Sequence, residues 1–241
     1  MTILAAIPLI LAMTSADAVA TVLNSPSACS AKTFAAAKEM VERDAAAGCP
    51  LQQFVIGVTT DDKKLAARYL DASRGRIVAL AEKTDNSLAW YLLSLESNDF
   101  RMLRRAAEGG NVQALNALGT IAAQEALNAR GSVDTNKLQR VLDRSCGYFR
   151  RAAAQRDPNG FVNLGACYLQ GMGCPQDMEM AFQCYRSAAE AGHPEAMDNM
   201  SAMYQFGHGV KKDAELSLLW AMRARAARGD EAAAKWLKDR K

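Results

Sequence analysis

The stretch from Asn163 to Gly192, NLGACYLQGMGCPQDMEMAFQCYRSAAEAG, is followed from Asn199 to Gly229 by NMSAMYQFGHGVKKDAELSLLWAMRARAARG. Aligned, they place Leu164 over Met200, Tyr168 over Tyr204, Gly171 and Gly173 over Gly207 and Gly209, and Asp177 over Asp213, each pair 36 residues apart. A fixed period of that length predicts stacked helix pairs, each burying its apolar face against its neighbours. Ala181, Cys184, Tyr185, Ala188 and Ala189 recur at helical spacing and form one buried stripe. Alanines on that stripe, and Gly165 in the helix before it, allow close helix approach, with Tyr168 and Tyr204 as the large fillers. The GxG pairs end the first helix of each copy, because glycine enters left-handed conformations at little cost. Asp177 and Asp213 open the second, where a carboxylate accepts from free N–H groups. The fold class that follows is all-α, an α-solenoid of stacked helical hairpins.

Upstream, RAAEGGNVQALNALGTIAAQEALNARG carries Leu118-Gly119, 46 residues before Leu164-Gly165. The ten extra residues are expected around ALNARGSVDTNK, as a longer turn between two helices. Downstream, AARGDEAAAKWL restarts the pattern, and Trp236 and Leu237 would cap the last apolar face. Nearer the N-terminus, AKTFAAAKEMVERDAAAG reads as a helix with Phe34, Ala37, Met40 and Val41 on one stripe and Gly48 at its end. Further helices are expected around KKLAARYLDAS, RIVALAEK and LAWYLLSLES, separated by Asp, Asn, Ser and Gly. No Pro-rich or Gly/Ser-rich linker divides the chain. The expected organisation is a leader over 1–20, degenerate helical hairpins over 21–100, and the repeat region with a C-terminal capping helix over 101–241.

The leader, MTILAAIPLILAMTSADAVA, is apolar from Ile3 to Met13 and then places small residues at Ala16, Ala18 and Ala20. This reads as a secretory signal peptide cleaved after Ala18 or Ala20, a retained anchor being the alternative. The apolar run is short for a membrane span and contains Pro8. All six cysteines (Cys29, Cys49, Cys146, Cys167, Cys174, Cys184) follow it, and an even number in an exported chain reads as disulfides. Cys29 and Cys49 bracket a helix about 27 Å long, so they pair only if the lead-in TVLNSPSACS folds back along it.

A net charge of +3, with acidic residues nearly matching basic ones, argues against a nucleic-acid surface. The locally basic end, AMRARAARGDEAAAKWLKDRK, reads as a solvated terminal helix. With two histidines and no CxxC, zinc is not expected, nor is any other cofactor. His193, in GHPEA, and His208, between Gly207 and Gly209, lie in turns and are expected to be exposed. No SxxK or GxSxG occurs, and no serine or cysteine sits in an activating context, so no enzyme is expected.

The string LGACYLQGMGCPQDMEMAFQCYRSAAEAG, with its LGxxY, GxG, D, A and AAxxG elements, resembles Sel1-like repeats, 36-residue relatives of tetratricopeptide repeats. The next copy keeps Tyr204, Gly207, Gly209, Asp213, Trp220 and Gly229. It departs at Met200-Ser201 in place of Leu-Gly, at Ser217 where the family prefers alanine, and by one extra residue before its closing glycine. The resemblance is strong from 151 to 237, weak from 101 to 150 and absent before. It implies a concave face lined by the first helix of each repeat. By register, that face comprises Asn116, Thr120 and Gln124; Val162, Ala166 and Gln170; and Asp198, Ala202, Gln205 and Phe206. This amide-rich set with one aromatic suits an extended peptide or a partner helix; ordinary solvated helix surface is the plain alternative.

Exported, cysteine-rich Sel1-repeat proteins of Helicobacter carry a disulfide in each repeat, and some are associated with penicillin binding or β-lactam hydrolysis. Here the cysteine register differs. Cys174 stands where the next copy has Val210, and Cys184 where it has Trp220, so the comparison implies Cys174–Cys184 within a repeat and Cys146–Cys167 between repeats. Each bond would contribute about 2–4 kcal/mol. What the resemblance implies is a periplasmic or secreted interaction scaffold or regulator that binds a protein or peptide partner, such as an envelope protein or sensor. No nucleic-acid partner and no membrane span after leader cleavage are expected. The alternatives are a penicillin-binding or β-lactam-hydrolysing protein, which the missing SxxK disfavours, and a secreted effector or immunity-type protein.

Overall fold

A computed structural model describes residues 31–129 and 134–240, with side chains from Lys38 onward. The leader, Ser25-Pro26, Cys29 and the side chains of Phe34 and Ala37 lie outside that range. The described residues form twelve α-helices and no strand. They divide into two compact units, Ala31–Ala114 and a second beginning at Leu115.

The first unit contains α1 (Ala31–Ala46), α2 (Pro50–Thr59), α3 (Lys63–Thr84), α4 (Ser87–Ser97) and α5 (Phe100–Glu108). Sequence neighbours pack together, and α2 also touches α4. Their core gathers Val41, Phe54, Val55, Ile77, Leu92 and Leu93. Side chains of Asp62, Asn86 and Asp99 cap the starts of α3, α4 and α5, satisfying N–H groups that no helical carbonyl reaches. The segments KKLAARYLDAS and RIVALAEK are one 22-residue helix rather than two. Gly75 does not break it: an interior glycine costs about 1 kcal/mol relative to alanine, which the buried Ser73, Ile77 and Ala81 on the same helix outweigh. The helix α2, which the sequence reading did not include, starts with Pro50 at its first turn, where proline's missing N–H has no cost.

The helix α6 (Val112–Asn128) straddles the division, and the second unit continues with α7 (Thr135–Ala154), α8 (Pro158–Gln170), α9 (Met178–Glu190), α10 (Pro194–Phe206), α11 (Ala214–Ala227) and α12 (Glu231–Lys238). From α7 to α12 each helix packs on the next, as a solenoid of hairpins requires. The expected stripe is buried at every position: Ala181, Cys184, Tyr185, Ala188 and Ala189. Asp177 accepts from the amides of Glu179 and Met180, and Asp213 from those of Glu215 and Leu216. A Cβ on Gly165 would come within 2.9 Å of the Tyr185 ring, which confirms the close approach assigned to it.

The two glycines of each GxG have different tasks. Gly171 and Gly207 end α8 and α10 with φ of 67° and 75°. Gly173 and Gly209 are also left-handed, and a Cβ on either would run into backbone, the carbonyl of Leu142 in the first case and of Met178 in the second. Leu142 and Met178 are themselves one period apart, so the second glycine sets the spacing between consecutive helix pairs.

The ten extra residues of the first repeat are not in its turn. The helix α6 has 17 residues against 13 in α8, and α7 has 20 against 13 in α9. The insertion lengthens both helices, because Asp134 caps α7 seven residues ahead of the position equivalent to Asp177. A small cluster of Ala122, Ala126 and Val141, with Leu138 and Leu142 against it, fills the extended part.

Candidate interaction surface

The first helices α8 and α10 are each tied to the first helix before them through a capping residue. Asp157 caps α8 by accepting from the amide of Gly160 at 2.7 Å, and the same carboxylate accepts from Asn116 Nδ2 on α6 at 2.7 Å. One repeat later, His193 caps α10 by accepting from the Ala196 amide, and its Nε2 lies 3.1 Å from Asn159 Oδ1 on α8. Both caps are buried, Asp157 to 8% and His193 to 1% exposure. Burial pushes the Asp157 carboxyl above its ordinary range, opposed by the bonds from Asn116 and Gly160. Burial, and then the nearby Arg228 charge, lowers the His193 imidazole to about 4. The expectation of an exposed His193 is therefore wrong: Pro194 fixes it at the helix start, and the preceding repeat covers it. His208 is exposed, with its ring 5.8 Å from that of Phe206.

The residues expected to line a groove fall into three groups. Thr120, Gln124, Gln170, Gln205 and Phe206 are exposed, Phe206 to 54%. Ala166 and Ala202 are half-buried. The remaining three are engaged within the fold. Asn116 holds Asp157, and Asp198, itself exposed, is ion-paired with Arg228. Val162 is only 6% exposed and packs in the core with Phe182, Tyr185 and Met200. Val162 is thus a correction: it shares register with Asn116 and Asp198, but an apolar side chain there turns inward. Gln124, Gln170 and Phe206 occupy one register position on α6, α8 and α10, and all three face solvent.

Two departures from the repeat pattern have structural causes. Ser217 donates from Oγ to the carbonyl of Ser201 at 2.9 Å. Ser145, at the same register one hairpin earlier than Ala181, donates to the carbonyl of Gly119 at 2.8 Å. The basic end is likewise engaged within the chain: Arg225 pairs with Asp230 at 2.6 Å, and Arg223 and Arg240 lie over the rings of Trp220 and Trp236 at 4.6 and 4.1 Å.

The five described cysteines stand as free thiols, so neither Cys174–Cys184 nor Cys146–Cys167 is formed in this structure, and Cys49 is exposed. Cys146, Cys167 and Cys184 nevertheless share one buried cluster with Phe149, Ala153 and Leu164, against which Cys174 packs. Among the described residues no group of three or more His, Cys, Asp or Glu side chains could hold a metal ion. No described helix is long and apolar enough to cross a membrane.

Three segments, 113–157, 162–193 and 194–227, match the Sel1 repeat family. They correspond to α6 with α7, α8 with α9, and α10 with α11. Among solved structures, the chain is similar to a Sel1 repeat protein from Oxalobacter formigenes at 26% identity, covering 53% of this chain and 90% of that one, with a TM-score of 0.44. It is also similar to a protective antigen present in uropathogenic Escherichia coli strains displaying an SLR fold, at 19% identity, covering 83% of this chain and 52% of that one, with a TM-score of 0.38. No functionally curated protein matches the chain. Repeats of this kind form scaffolds that generally mediate protein–protein interactions, not catalytic folds. The segment from 113 to 227, just under half of the chain, is therefore similar to three consecutive Sel1 repeats.

Proposed function

We propose that this chain is an exported interaction scaffold, periplasmic or secreted, that binds an extended segment or helix of a partner protein along the first helices of its repeats. The observation that carries this reading is the exposed series Gln124, Gln170 and Phe206, one side chain per repeat at a common register. Two amides offer donors and acceptors to a peptide backbone, and an aromatic at the end supplies apolar area, the combination that peptide grooves use. Thr120 and Gln205 extend the polar lining. Asn116 and Val162 serve the fold instead, while Asp198 is exposed in its ion pair with Arg228. The mechanism is occupancy: a surface held rigid by stacked hairpins binds one state of an envelope protein or sensor and stabilises it.

The test is affinity capture from the native envelope, comparing the wild type with Gln124→Ala, Gln170→Ala, Gln205→Ala and Phe206→Ala combined. A partner retained by wild type and lost by the folded variant supports the reading and locates the surface. Equal capture by both moves the site away from these helices.

A further inference from the structure

Three thiols converge where the first helical pair meets the second. Cys146 on α7 is fully buried and shares one cluster with Cys167 on α8, against which Cys174 in the following turn packs. The Arg150 guanidinium, one turn along α7, approaches the same sulfur at 3.5 Å. Cys167 is 2% exposed, while Cys174 is partly open to solvent. Cys174 also follows Gly173, whose contact with the Leu142 carbonyl presses this turn onto α7. The repeat itself does not demand thiols here, because the next copy fills the positions of Cys167 and Cys174 with Met203 and Val210.

We propose that Cys174 and Cys146 form a thiol–disulfide exchange site that takes a low-molecular-weight disulfide from solvent and closes a covalent bond between adjacent helical pairs. Cys174, the reachable thiol, attacks a small disulfide RSSR; a Cys174–SR bond forms, the RS–SR bond breaks, and the departing RS⁻ takes up the Cys174 proton. Cys146 sulfur then attacks Cys174 Sγ, forming Cys146–Cys174 and expelling the second RS⁻, which leaves as RSH with the proton of Cys146. Two protein thiols are oxidised and one small disulfide is reduced to two thiols. Cys167 and Arg150 are positioning residues, holding and polarising the Cys146 sulfur by a hydrogen bond and a positive charge.

The electrostatics order the two steps. A hydrogen bond from Cys167, then the Arg150 charge and Cys174, hold the Cys146 thiol below its ordinary range against its burial. Burial first, and then Cys146, push Cys174 up to about 11. The Cys146 sulfur, beside the Arg150 guanidinium, is thus the group suited to attack in the closing step.

The experiment uses the full chain, reduced and then incubated with oxidised glutathione, with free thiols alkylated and disulfides mapped by peptide mass spectrometry. The expected product is Cys146–Cys174. Cys146→Ser should arrest at a stable Cys174–glutathione adduct, and Arg150→Gln should make that adduct visible by slowing closure about tenfold. Closure onto Cys167 or Cys184 instead, or a wild-type Cys174–glutathione adduct that never closes, would overturn the proposal. The product map of the unaltered chain decides even if a variant fails to fold. This site stands apart from the proposed groove, and partner capture and bond closure are read separately.

Discussion

The second and third repeats share nearly one backbone and differ in what fills it. Their first helices, α8 and α10, have 13 residues each, and their second helices, α9 and α11, have 13 and 14. Both turn through GxG, and both open the second helix with an aspartate cap. Inside, Cys167, Cys174, Cys184 and Tyr185 of one stand where the other has Met203, Val210, Trp220 and Ala221. One packs a large ring over Gly165. The other packs Trp220 against its core and hydrogen-bonds Ser217 to the carbonyl of Ser201. The turns and caps thus determine the backbone, and the interior can exchange apolar volume for thiols provided the space is filled.

That equivalence can be broken most sharply at the second glycine. Gly173→Ala and Gly209→Ala should each cost about 3 kcal/mol or more, since a Cβ meets a carbonyl at a left-handed φ. Urea unfolding measures this, and a large loss at one site only would show that the two turns are not interchangeable.

The buried caps should separate the repeats by pH. His193 is held down to about 4 when folded, whereas an unfolded histidine titrates near 6.5, so the unfolded chain takes the proton first. The stability present above pH 6.5 is then lost as pH falls toward 4, on the order of 2–3 kcal/mol. His193→Asn should flatten that slope in urea midpoints measured across the range. Asp157, raised by burial, acts with the opposite sign: its contribution is present in acid and lost as pH rises through its folded pKa. Replacing it as Asp157→Asn keeps the cap and removes that loss.

Asp157→Ala, which removes both the cap and the partner of Asn116, should cost about 1–2 kcal/mol, against about 1 kcal/mol for Asp177→Ala at an exposed cap. Smallest is Ser217→Ala, at about 0.5–1 kcal/mol for one hydrogen bond. If Ala181→Ser is nearly neutral, the seryl bond of the first and third repeats fits the second as well. Thermal or urea unfolding of the paired variants resolves these differences.

What was legible in the sequence was local. Asp177, Asp213, Gly171, Gly207 and the Ala181–Ala189 stripe each reveal their task within one or two helical turns, and the structure places them as read. The role of Gly173 was not legible, because it depends on a carbonyl at Leu142 in the preceding repeat. His193 was misread for a related reason: Pro194 signals the helix start, but burial comes from α8. ALNARGSVDTNK carries turn residues, yet Asp134 uses its carboxylate to cap a longer α7. Val162 shows the limit of carrying a groove over by register, since packing, not position, decided where it went.

The elongated first hairpin has a consequence for local stability. Seven extra residues at the start of α7 reach about 10 Å beyond the level at which its neighbour α9 begins. No equivalent length of α8 or α9 exists to pack against that overhang, and its own interior is two alanines and a valine with two leucines beside them. So small an apolar patch does little against the entropy of ordering the segment. The overhang therefore constitutes a separate unfolding unit: its amides should exchange hydrogen far faster than those of α9, through openings that leave the rest of the array closed. An inserted tag or a limited proteolytic cut in these outer turns should be tolerated there before anywhere else in the array.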